Sequence, residues 1–134
     1  MNLDNKFTYL PDNFNAEKEI LLSLGINSWI QIKDLKDNQI FKIVKTTLAT
    51  ERNLKRLRCI AMFICEIRIS QEEAAILMHS GIASIKALSS LTPQELSNKT
   101  GRLERLLNTG RKPAIDLKKA SLLIKKAKGR QINN

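Results

Sequence analysis

Histidine occurs once in this chain of 134 residues, as His79, and cysteine twice, as Cys59 and Cys65. So small a set of soft and imidazole ligands falls short of a metal site, and no cofactor is expected. Six positions apart on a helix, the two cysteines would point about 240° apart around its axis and could not easily bridge each other; buried reduced thiols are expected. Phe, Trp and Tyr together make up 4% of the chain, which leaves no aromatic cluster on which single-stranded bases could stack. No run of about 18 apolar residues is present, so nothing is expected to span a membrane. The opening stretch MNLDNKFTYLPDNFN lacks the apolar core of a signal peptide, and a cytoplasmic location is expected. A Walker A loop, a dinucleotide fingerprint, HExxH and CxxC are all missing. No spacing selects a Ser–His–acid set, so a non-catalytic protein is expected. Sustained strand alternation is absent too.

What is present is Leu, Ile and Ala at helical spacing, which favours an all-α fold. The chain also echoes itself at an offset of 56 residues: EKEILLSLGINSWIQIKDLKDNQI, from Glu17 to Ile40, aligns without a gap over EAAILMHSGIASIKALSSLTPQEL, from Glu73 to Leu96. Glu17/Glu73, Leu21/Leu77, Gly25/Gly81, Ile26/Ile82 and Ser28/Ser84 are identical pairs. In each copy a helix ends at a Gly that can take the left-handed conformation, and a Ser then caps a short second helix. Ser70 with Glu73 and Thr92 with Glu95 have the spacing of capping boxes, and Pro93 stands where a first helical residue tolerates it. These signals predict helices near 15–24, 28–34, 37–48, 52–66, 71–80, 84–90, 93–99, 102–108 and 113–128. Gly101 is expected to stop the seventh, with Leu103, Leu106 and Leu107 of the eighth facing the core. IAMFIC, residues 60–65, is apolar all round its helix and is expected to be a central helix shared by two units. The expected organisation is a polar arm over 1–14, one compact domain over 15–128 (units about 15–66 and 67–128) and a tail over 129–134. Trp29, Met62 and Met78 read as core residues, and His79 as a helix-end residue.

The pattern of a short helix ending in Gly-Ile, a Ser-capped helix and a TPQEL-type helix resembles tandem helix-hairpin-helix-like units. In particular it resembles the largely cyanobacterial family known as domain of unknown function 4332, over roughly residues 15–128. The resemblance implies fold more than activity, although helix-hairpin-helix proteins bind DNA or RNA backbones without reading sequence. Their phosphate-binding hairpin places Gly-hydrophobic-Gly before a helix. Here Ile67-Arg68-Ile69-Ser70 has no Gly at that place. Gly110-Arg111-Lys112-Pro113 has the first Gly and the helix-opening Pro, with Lys112 where the second Gly would stand.

Charge is concentrated in the same region. Residues 1–98 carry 12 Lys/Arg and 11 Asp/Glu, whereas residues 99–134 carry 11 Lys/Arg and two acids, Glu104 and Asp116. Such asymmetry points to an anionic partner. On a projection of 114–128, Leu117, Ala120, Leu123, Ile124 and Ala127 fall on one side of the helix. Lys118, Lys119, Lys125 and Lys126 fall on the other, with Leu122 among them. The plain reading is a docked amphipathic helix with a solvated Lys face. The functional reading adds Arg102, Arg105, Gly110, Arg111 and Lys112 to that face, making a surface for DNA or RNA backbone without base specificity. The alternative is a protein-interaction adaptor that docks an acidic protein or ribonucleoprotein, motivated by Leu122. A membrane-surface role is a third option for a basic amphipathic helix, although its apolar face lacks Trp and Phe.

Overall fold

A computed structural model of the chain describes residues 14–107 and 113–132. Among these residues the regular elements are eight helices and no strand. In order they are α1 (Asn15–Ser23), α2 (Trp29–Lys33), α3 (Asp37–Thr46), α4 (Glu51–Ile67), α5 (Gln71–His79), α6 (Ile85–Ser89), α7 (Pro93–Leu107) and α8 (Leu117–Ile132). Two compact units divide the chain between Cys65 and Glu66, inside α4.

Side-chain caps explain where several helices begin. Ser28 and Ser70 each accept the backbone N–H three residues on, and Gln31 and Glu73 reach back to the Ser N–H. Thr92 and Glu95 form the same reciprocal pair at the start of α7, and Ser84 accepts the Ala87 N–H at the start of α6. Each reciprocal pair satisfies two backbone donors, and the Ser84 cap satisfies one.

α1 and α5 end alike. Gly25 has φ +82° and Gly81 has φ +88°. The next residue's N–H donates back five positions, Ile26 to the Leu21 carbonyl and Ile82 to that of Leu77. The Gly N–H groups close the inner bond, on Leu22 and Met78. This is a Schellman ending, and it needs left-handed backbone at the Gly. A Cβ at either Gly would meet no other atom within 4 Å, so dihedral preference, not space, selects glycine.

In the first unit Trp29, Ile32, Leu54 and Leu57 are buried. Glu17 is buried with them and ties α1 to α4: its Oε2 accepts the Thr50 N–H at 2.9 Å and its Oε1 accepts from Asn53 Nδ2 at 3.2 Å. Arg58 of α4 donates to the Leu35 carbonyl and pairs with Asp37 at 2.8 Å, holding the turn from α2 to α3. Within residues 60–65, Ile60, Ala61, Phe63 and Ile64 are buried, whereas Met62 and Cys65 are half-buried.

In the second unit α6 and α7 pack on α8, and α5 packs on α7. Leu77, Leu88, Leu96, Leu123 and Ala127 are buried there. Burying one such leucine stabilises by roughly 2 kcal/mol.

The helices of this unit correct the sequence reading in two places. The two helices expected over 93–99 and 102–108 are one, and Gly101 lies inside it, not at its end. Thr100 explains the continuity: it is fully buried, and its Oγ1 donates to the Leu96 carbonyl within the helix, continuing the buried stripe through the Gly. Gly101 costs the helix roughly 1 kcal/mol relative to Ala, which tertiary packing outweighs. Leu106 is 82% exposed, against its expected core position, while Leu103 is half-buried.

The last helix begins at Leu117, not 113, and runs to Ile132. Asp116 is its cap, with Oδ1 accepting the Lys119 N–H at 2.8 Å. Ile115 before the cap and Ala120, the fourth residue of the helix, are both buried, at the two positions of a hydrophobic staple. Pro113 therefore precedes the helix by several residues, and Leu117 is 51% exposed, off the buried stripe on which it was expected.

Candidate functional site

The buried stripe of α8 consists of Ala120, Leu123, Ile124 and Ala127. Its cations divide into two groups. Lys119 and Arg130 are engaged by acids of the same unit: Lys119 Nζ pairs with Glu73 Oε2 at 3.0 Å, and Arg130 Nη2 pairs with Glu66 Oε2. Lys118, Lys125, Lys126 and Lys128 are exposed. On α7, Lys99, Arg102 and Arg105 recur at intervals of three and are exposed as well.

Lys119 therefore departs from the solvated Lys face on which the helical projection placed it. Its partner Glu73 is distant in sequence, so no local spacing could disclose the pair. Burial alone would raise the Glu73 carboxyl, but the Ser70 N–H and the Lys119 ammonium outweigh it and hold the group below its ordinary value. On α7 the Glu95 carboxyl is also lowered, first by the Thr92 N–H and then by the Thr92 hydroxyl.

The two acids of the basic region are committed to backbone. Glu104 Oε1 accepts the Ala114 N–H at 2.6 Å, and Asp116 caps α8. Neither forms an ion pair with a described cation of α7 or α8. The structure thus brings Arg102 and Arg105 together on one helix and Lys118, Lys125 and Lys126 on another helix packed against it. Gly110, Arg111 and Lys112 lie outside the described residues. Lys128 is an exposed cation on α8 that the sequence reading left out, although its charge was legible.

Among the described residues, no group of three His, Cys, Asp or Glu side chains is placed to hold a metal ion. No helix there is long and apolar enough to cross a membrane. Two large apolar side chains of α8 are exposed, Leu117 at its first residue and Leu122 between its lysines, at 45% exposure.

Residues 11–130 match the family model described as domain of unknown function (DUF4332). The chain belongs to the DUF4332 family. The matched span takes in most of both compact units and the exposed cations of α7 and α8, so the DUF4332 region contains the described candidate site. No curated protein and no solved structure matches the chain.

Proposed function

We propose that this DUF4332 protein is a non-catalytic module that binds the phosphate backbone of DNA or RNA through α7 and α8. The observation carrying this reading is the division of cations on α8. Lys119 and Arg130 are taken up by Glu73 and Glu66, while Lys118, Lys125, Lys126 and Lys128 remain exposed. A helix fixed along its flank presents the remaining charges with no backbone left to order, so binding costs only the ordering of the lysine side chains. Lysine is a point charge on a flexible stem and suits phosphates in several geometries. Contacts of this kind position a nucleic acid without reading its bases. A cytoplasmic location is consistent with this role.

The test is fluorescence anisotropy with labelled duplex DNA, single-stranded DNA and RNA at low salt. Wild-type protein is expected to bind, and a variant with Lys118, Lys125, Lys126 and Lys128 changed to Ala is expected to lose at least tenfold in affinity, about 1.4 kcal/mol or more. Equal binding by the two proteins would refute the assignment of the face.

The adaptor reading draws on Leu122 and Leu106, both of them exposed on the cationic helices. It predicts that one defined acidic protein or ribonucleoprotein remains bound after nuclease treatment of an extract. Loss of every specific partner on that treatment would exclude it.

A further inference from the structure

Arg68 is the only non-glycine residue with positive φ among the described residues, at 55°. Glycine adopts this conformation at less cost than any residue with a Cβ, so the fold gains nothing from an arginine backbone there. Its neighbours do explain where the side chain goes. Ile67 and Ile69 are both buried, and Arg68 between them is exposed. It takes part in none of the ion pairs formed by the described residues.

Two ion pairs fix the place of this turn. Glu66, just before it, binds Arg130, and Glu73, just after it, binds Lys119. The turn therefore lies along the flank of α8 between Lys119 and Arg130. Those two residues share a stripe of α8 with Lys126, which is seven positions after one and four before the other. Lys126 is exposed. Along their own segments, Arg68 and Lys126 therefore both fall between the residues of these two ion pairs.

We infer that Arg68 and Lys126 form a joint phosphate contact at the edge of the α8 face. This rests on the nucleic-acid reading above and adds to it a residue from outside the basic segment. The guanidinium supplies a planar, two-pronged donor beside the ammonium, so the pair holds one phosphate more firmly than either alone.

The experiment compares wild type, Arg68→Gly, Arg68→Lys and Lys126→Ala by anisotropy on a labelled duplex across a salt series, with thermal unfolding of each. Arg68→Gly is expected to unfold at the same or a higher temperature while binding less tightly. Its slope of log affinity against log salt should be shallower by about 0.9, the value of one phosphate contact. Arg68→Lys should retain the slope, and Lys126→Ala should lose a similar increment. A wild-type slope in Arg68→Gly, with binding still reduced by the four-lysine variant, would overturn the role of Arg68 and leave the α8 face standing. A lower unfolding temperature with an unchanged slope would assign Arg68 to the fold and equally overturn it. Failure of wild type to bind any nucleic acid would overturn both readings together.

Discussion

Gly25, Gly81 and Gly101 share a side chain but not a backbone conformation, and that difference sets what each position tolerates. Ala at Gly25 or Gly81 would be forced to φ above +80°, and each change is expected to cost about 1 kcal/mol in chemical denaturation. Gly101 is helical. A Cβ there would lie 3.3 Å from Arg105 Nη1, the mobile end of an exposed side chain, which can move aside. Gly101→Ala is therefore expected to stabilise by up to about 1 kcal/mol. Cys59 illustrates burial acting on chemistry: its thiol is pushed up to about 11 from an ordinary 9.0. Only the thiolate reacts. In a Cys65→Ala background at pH 8, alkylation should be about a hundredfold slower in the folded protein than in denaturant; equal rates would contradict the burial.

Among the helices, two glutamates at equivalent positions in the sequence repeat, Glu17 and Glu73, each tie the first helix of their unit to a later one. Glu17→Ala would leave the Thr50 N–H without its acceptor, and a loss of about 2 kcal/mol in urea unfolding is expected. Glu73 makes a pH-dependent contribution. Its folded-state value lies below the ordinary 4.5, so its stabilising effect is complete above that value and is lost as pH falls through the folded-state value. Wild type should be more stable than Glu73→Gln near neutrality, and the two stability curves should converge in acid. Helix starts were legible in the sequence because a cap is a local event: Ser28, Ser70, Ser84 and Thr92 each find their acceptors or donors within three residues. The merger of two expected helices into α7 was not, because the buried Thr100 that continues the stripe depends on packing against other helices. Asp116 was visible as an acid, but Pro113 offered a competing helix start; the buried staple of Ile115 and Ala120 decides between them.

Over the whole molecule, the charge imbalance of residues 99–134 was plain in the sequence, but which cations stand exposed was not. Pairing of Lys119 with Glu73 and of Arg130 with Glu66 joins residues far apart in the chain, and only the fold separates these cations from Lys118, Lys125, Lys126 and Lys128. Gly110, Arg111 and Lys112 lie outside the described residues, and the described cationic face is built from α7 and α8. The direct measurement of the central claim is the salt dependence of wild-type binding to a labelled duplex. If Arg102, Arg105, Lys118, Lys125, Lys126 and Lys128 each meet a phosphate, the slope of log affinity against log salt is about −5. Absence of binding at low salt, or binding that salt leaves unchanged, would contradict it.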